Sequence, residues 1–251
     1  MTRGRALVGT SGFAYADWRP RFYPEGLAQS KFLAHYASRL RSVEINYTFN
    51  RFPTESLLSG WAGKVPPEFS FALKLPRRIT HERRLRDCGV DLARFAAPAA
   101  TLGRRLGPLL AQTPPTLPAD KDVLQNFVAA VPPGMRVAME FRHPSWDDDA
   151  VREILREAGI AWAIVEDEDR EAAVHQTGTG FAYARLRRPA YDDEHLSRWR
   201  EALNGLLDEG LDVYCYLRHD AGGSNALAAE SLASRLALGL GSSQEDEPGG
   251  L

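Results

Sequence analysis

The chain is poor in cysteine, in long apolar runs and in net charge, and each shortage removes a class of protein. Cys88 and Cys215 are the only thiols in 251 residues. They are too few and too far apart for a disulfide framework or a zinc knuckle, and they read as reduced thiols of a cytosolic protein. No run approaches the length of a membrane span, and the start, with Arg3 and Arg5, lacks an apolar segment of signal-peptide length. The expectation is a soluble, cytoplasmic protein with no membrane partner. The formal charge is −2, with Glu245, Asp246 and Glu247 accounting for the excess, so no global basic field exists to hold nucleic acid, although a local patch is compatible with it. The turn Gly9 to Gly12, GTSG, lacks the third glycine of a dinucleotide fingerprint and the lysine of a P-loop, and its Ser11 is not on a nucleophile elbow.

What is present is ordinary globular composition, 44% hydrophobic and 25% charged, arranged as strands alternating with helices. Apolar runs predict strands at Ala6 to Val8, Ser42 to Ile45, Phe69 to Leu75, Leu109 to Gln112, Val137 to Met139, Ile160 to Val165, Phe181 to Leu186 and Val213 to Leu217. Helical spacing predicts helices at Ser30 to Leu40, after a Thr54 cap, at Asp91 to Leu106 with Pro98 as a kink, at Lys121 to Ala130, after an Asp148 cap, and at Asp193 to Leu207 and Asn225 to Leu238. Eight such repeats in this length predict an α/β fold, a single (β/α)8 TIM-barrel-like domain over residues 5–238, followed by a disordered acidic tail at 239–251. The doubly wound open sheet is the alternative, since eight parallel strands can also lie flat.

The chemistry is expected at the strand C-termini. The stretch VAMEFRHPSW is the clearest case: an apolar run ends in Glu140, Arg142 and His143, and Pro144 stops the strand. The same pattern recurs with Glu44 and Asn46, with Lys74 followed by His81, with Gln112, with Asp167, with Arg185 and with His219, while Thr10 lies in the turn after the first strand. Tyr15 and Trp18 belong to an aromatic loop that either floors a pocket or plugs one end of the core.

These residues, in the motifs GTSGFAYADW, VEINYTF, FALKLPRRITH, LGPLLAQTPP and MEFRHPSW, and a late strand followed by Asn225 and Ala226, resemble the YecE-like family, domain of unknown function 72. The resemblance runs from Val8 to about Ala229. It implies a TIM-barrel-like fold and no settled reaction. The sequence departs from the family pattern at Arg187 to Pro189 and in Leu217 to Gly223, which bears on what the last two strands contribute.

Two classes of function remain. In the first, Glu44 and Glu140, with His143 and Asp167, form an acid/base site for hydrolysis or proton transfer on a sugar-like substrate, one carboxyl protonated and the other held ionised by Arg142 or Lys74. An anion site fits the same mouth: Lys74, His81, Arg142 and Arg185 would recognise a phosphate or carboxylate, with Thr10, Tyr15, Trp18, Asn46, Gln112, His219 and Asn225 lining it and the Gly9 to Gly12 amides assisting. In the second class the chain is a non-enzymatic nucleic-acid or metabolite-binding protein that stacks bases on rim aromatics. A metal held by Glu44, Glu140, His143, Asp167, His219 and Asp220 has no tight ligand spacing behind it. Cofactor and oligomeric state are left open.

Overall fold

The computed structural model describes residues 2–168 and 179–238. Among the described residues nine parallel strands occur in chain order: β1 (Ala6–Ser11), β2 (Ser42–Ile45), β3 (Ser70–Lys74), β4 (Leu106–Gln112), β5 (Val137–Glu140), β6 (Ala161–Trp162), β7 (Ile164–Glu166), β8 (Phe181–Leu186) and β9 (Asp212–Leu217). Their hydrogen-bonded order is β6-β5-β4-β3-β2-β1-β9-β8-β7, so the two ends of the sheet are strands separated in the chain by Ala163 alone. β6 pairs with β5 and β7 with β8, and the Ala163 amide still donates to the Met139 carbonyl at 2.8 Å. The sheet therefore closes into a barrel with one broken strand, and the flat doubly wound alternative is ruled out. The expected sixth strand, Ile160 to Val165, is corrected to two pieces ending at Glu166.

Eight α-helices accompany the strands among the described residues: α1 (Phe32–Arg39), α2 (Tyr47–Asn50), α3 (Glu55–Ala62), α4 (Gly89–Ala99), α5 (Lys121–Ala129), α6 (Asp149–Glu157), α7 (Asp193–Asp208) and α8 (Ser224–Leu238). Side chains of Thr54, Asp120, Asp148 and Asp192 accept first-turn amides at the starts of α3, α5, α6 and α7, which satisfies donors that have no partner inside the helix. The expected helix over Asp91 to Leu106 is shorter than its pattern. Pro98 sits inside α4, the helix stops at Ala99, a 3₁₀ segment follows, and Leu106 already belongs to β4. Among the described residues no helix is long and apolar enough to cross a membrane. The acidic tail, 239–251, and Asp169 lie outside the described residues.

Alternation along the strands divides the core into two layers. One face packs against the helices through Val43, Phe71, Leu73, Leu109, Met139 and their neighbours. The other fills the barrel with Leu7, Ala72, Leu110, Ala138, Ala163, Phe181, Tyr183, Tyr214 and Tyr216. Gly9 allows the close approach of β1 to β2, because a Cβ there would lie 1.8 Å from the Ser42 carbonyl oxygen. Behind that contact the buried Tyr36 hydroxyl of α1 accepts from the Thr10 amide at 2.8 Å and donates to the Ser42 carbonyl at 2.9 Å, joining helix to both strands. Tyr36→Phe would leave the Thr10 amide without that acceptor, a loss of about 1–3 kcal/mol. Urea unfolding checks it, and an unchanged midpoint would mean that the hydroxyl is dispensable.

Candidate functional site

Period-two alternation carries the inner face of the barrel from apolar to charged at the strand C-termini. Two residues past Ser42, Ala72, Leu110, Ala138 and Tyr183 come Glu44, Lys74, Gln112, Glu140 and Arg185. The parallel register sets Ser11 beside Glu44 and Gln112 beside Glu140. Residues far apart in the chain thus meet in one layer above the apolar filling.

Arg185 is the centre of that layer. Its Nε and Nη2 donate to the two oxygens of Glu44 at 2.8 and 2.9 Å, and its Nη1 donates to Glu140. All three side chains are buried. Glu44 also accepts from Ser11 Oγ at 2.8 Å, from the Tyr183 hydroxyl at 2.9 Å and from Asn46 Nδ2 at 3.4 Å. Glu140 accepts from Gln112 Nε2 at 2.7 Å. The Gln112 amide oxygen in turn accepts from Lys74 Nζ at 2.7 Å, and that ammonium lies 4.3 Å from the centroid of the Phe49 ring. Arg187 completes the layer by donating to Ser11 Oγ at 2.9 Å.

The charges in this layer are uneven. Burial alone would raise the Glu44 carboxyl, but Arg185, Arg187 and the Ser11 hydrogen bond outweigh it and hold it at about 2. Glu140 is likewise lowered, burial being overcome by Arg185 and Gln112. Both carboxylates are ionised at neutral pH, and the cation that holds them so is Arg185, which corrects the expectation of Arg142 or Lys74. Burial, then Arg185, lowers the Lys74 ammonium to about 8 against the pull of Glu44 and Glu140. Two carboxylates therefore face three cations, Arg185, Arg187 and Lys74.

The other sequence-predicted residues divide between mouth and scaffold. His81 borders the layer: its ring meets Phe49 edge to face at 5.0 Å, and burial, Lys74, Arg77 and Arg142 lower its pKa. Arg142 is exposed, on the rim rather than in the cluster. His143 caps the turn after β5, its Nδ1 accepting from the Ser145 amide at 3.2 Å. Asp167 is exposed, while its neighbour Glu166 is buried under Arg188, Tyr191 and Trp199. Thr10 and Trp18 are fully buried. Thr10 Oγ1 donates to the Gly12 carbonyl and Trp18 Nε1 to the Asp220 carbonyl, at 2.7 and 3.0 Å. Tyr15 stacks on His219 with centroids 4.6 Å apart, fastening the β1 loop to the β9 loop. Asn225 braces the same corner by donating to the carbonyls of Arg188, Pro189 and Arg218. The amides of Thr10 and Gly12 are taken by Tyr36 and the Glu44 carbonyl, so the GTSG turn does not present both of them to a ligand.

Ser11, Phe49, Tyr183 and Arg187 are members that the sequence reading passed over. Arg187 had a legible signal, since Tyr183, Arg185 and Arg187 share one face of β8 and its extension. Beside the charged layer an aromatic cleft of about 230 Å³ is lined by Phe13, Tyr15, Asn46, Tyr47 and Trp61. Asn46, which reaches Glu44, joins cleft and cluster. Among the described residues no group of three or more His, Cys, Asp or Glu side chains is placed to hold a metal ion.

Fold and site together define a closed parallel α/β barrel of the TIM type, with a buried arginine–carboxylate cluster at its C-terminal mouth. Residues 7–249 match the protein family of unknown function DUF72, and the chain belongs to that family. It is 26% identical over 147 residues to the UPF0759 protein YecE of Escherichia coli, strains O157:H7 and K12, an alignment covering 56% of this chain and 54% of each relative. The match thus spans about half the length of the curated relatives. A DUF72 family protein of Thermotoga maritima superposes with a TM-score of 0.80 at 27% identity, covering 93% of this chain and 99% of that one. One from Enterococcus faecalis, at 18% identity and a TM-score of 0.71 over 96% and 99% of the two chains, shares the fold.

Proposed function

We propose that the mouth of this barrel is an enzyme site for a small molecule bearing a phosphate or carboxylate group, with Lys74 as the proton-transferring side chain. The observation that carries this reading is the charge imbalance: Arg185 satisfies both buried carboxylates, and Lys74 and Arg187 keep positive charge with hydrogen bonds to neutral groups, Gln112 and Ser11. Lys74 is buried and Arg187 half-buried; cations drawn out of water without a counterion are costly, and an anionic ligand offsets that cost. A group at about 8 is suited to exchange a proton near neutral pH. Phe13, Tyr47 and Trp61 offer apolar faces to the remainder of the ligand.

A glycosidase-like carboxylate pair is weakened by the same geometry, because it requires one protonated carboxyl and both glutamates are ionised on one guanidinium. Nucleic-acid binding gains little support from the arginine-rich loop after β3. Arg78 and Arg83 are engaged with Asp91, and Arg86 with Asp120.

The test is a thermal-shift and calorimetric comparison of inorganic phosphate, simple phosphate esters, carboxylates and neutral glycosides on wild type, Lys74→Ala and Arg187→Ala. A ligand at 100 times its Kd adds about 2.7 kcal/mol to stability. Anions are expected to raise the melting temperature of wild type, with affinity at least about tenfold weaker in either variant, the loss of one charge-assisted contact. Equal shifts in all three proteins, or a response confined to neutral glycosides, would overturn the reading.

A further inference from the structure

The chain contains 27 arginines and four lysines, Lys31, Lys64, Lys74 and Lys121. Three of the lysines are exposed and only Lys74 is buried. In a protein so biased toward arginine, the one lysine at the heart of the cluster stands where a guanidinium would serve simple anion binding as well or better. What lysine adds is an amine that can lose its proton and attack carbon. Resting on the anion-site reading above, and giving Lys74 covalent attack in place of simple proton transfer, we propose that Lys74 Nζ condenses with a carbonyl group of the bound anion to form an imine, so that the ligand class is a keto acid or an aldose or ketose phosphate.

Three features of the site favour this chemistry. Arg185 occupies both carboxylates, so Lys74 has no ion pair among the described residues and donates to the Gln112 amide oxygen. Its amine is therefore not tied up by the strongest competitor for its proton. Burial and the adjacent Arg185 both favour the neutral amine, the two conditions under which lysines become nucleophiles. Arg187, which is coupled electrostatically to Lys74, and Arg142 at the rim have no ion pair among the described residues and would hold the anionic end of the ligand. His81, which shares the Phe49 ring with Lys74 and whose pKa is lowered, is a neutral imidazole able to carry protons in the condensation.

The step balances without an oxidant. The Nζ lone pair attacks the carbonyl carbon, the C=O π electrons move to oxygen, and a proton passes from nitrogen to that oxygen to give a carbinolamine. A proton taken up by His81 is delivered to the hydroxyl, which leaves as water while the nitrogen lone pair forms the C=N bond, and the proton remaining on the iminium nitrogen returns to the imidazole. Amine and carbonyl thus give imine and water.

Borohydride reduction converts such an imine into a stable secondary amine, and peptide mass mapping locates it among four lysines and the N-terminus. The probes are pyruvate and dihydroxyacetone phosphate, with lactate and glycerol 1-phosphate as counterparts lacking the carbonyl. Wild type is expected to acquire an adduct on Lys74 with the carbonyl probes only. Labelling should increase as pH rises toward 8, and Lys74→Arg, which keeps the charge, should lose it while Lys64→Ala retains it. Melting temperatures are recorded with all four probes. Shifts with the probes but no adduct on Lys74, or adducts only on the exposed lysines, would overturn the imine and leave the anion site standing. Absence of both shift and adduct would overturn the two readings together.

Discussion

Arg185→Ala is expected to lose about 3–5 kcal/mol of folding stability, the cost of stripping a buried pair of its counter-charge. The reason lies in the sharing of one guanidinium: Glu44 and Glu140 would lose their direct ion pairs and keep only Ser11, Tyr183, Asn46 and Gln112 as hydrogen-bond donors, with Lys74 and Arg187 acting on them through space alone. Since a domain holds only about 5–15 kcal/mol in total, the variant would be marginal at room temperature. The pH dependence sharpens the test. In wild type the folded Glu44 pKa lies below its ordinary 4.5, at about 2, so its contribution is present above 4.5 and is lost as pH falls toward 2. Without Arg185 burial would raise both carboxyls, and acid unfolding should begin at higher pH. Urea titrations of both proteins between pH 3 and 8 check this. A loss under about 1 kcal/mol at pH 7, or an unchanged acid limb, would show that the cluster does not depend on its arginine.

Lys74→Met is expected to act in the opposite direction on stability while weakening anion binding. The folded pKa of Lys74 is about 8 against an ordinary 10.5, so below pH 8 the native state carries a charge that folding disfavours by up to about 3 kcal/mol. Methionine removes that penalty and forfeits the hydrogen bond to Gln112, worth about 1 kcal/mol, leaving a net gain of about 2 kcal/mol at pH 7. The sign follows from proton counting: between pH 8 and 10.5 the unfolded wild type binds more protons than the native, so wild-type stability rises with pH and the advantage of the variant shrinks. Paired melts at pH 7 and pH 10 measure it. A variant less stable than wild type at pH 7 would mean that the ammonium is a net structural contributor, contrary to the charge imbalance on which the anion site rests.

The barrel was legible because its periodicity is local: each strand and most helices declare themselves within ten residues, and Thr54 and Asp148 mark their helix starts as written in the chain. The break at Ala163 was not, because a single alanine inside an apolar run carries no signal, and pairing with different neighbours on its two sides decides the split. Strand-end reasoning collected Glu44, Lys74, Gln112, Glu140 and Arg185, since all five stand on the inner face by alternation. It could not rank them. Position past a strand end does not decide whether a cation sits in the cluster or on the rim, since Arg187, just beyond β8, reaches Ser11 while Arg142, two residues beyond β5, is exposed. Thr10, Trp18, His143 and Asn225 drew attention for their residue type, yet their hydrogen bonds go to turns and carbonyls of the scaffold.

The placement of Arg185 also governs the order in which the chain can become stable as it is synthesised. Glu44 emerges on β2 and Glu140 on β5, but their common counter-ion arrives only with β8, and β1 gains its second neighbour only with β9. A nascent chain halted after β5 would have to bury two carboxylates with no guanidinium between them, or leave that end of the barrel in water. Half-barrel intermediates are thereby penalised by electrostatics as well as by their open sheet edges. The ion pairs of the cluster are complete only once β8 is in place, so the electrostatic stabilisation of β2 and β5 comes with the nearly complete barrel.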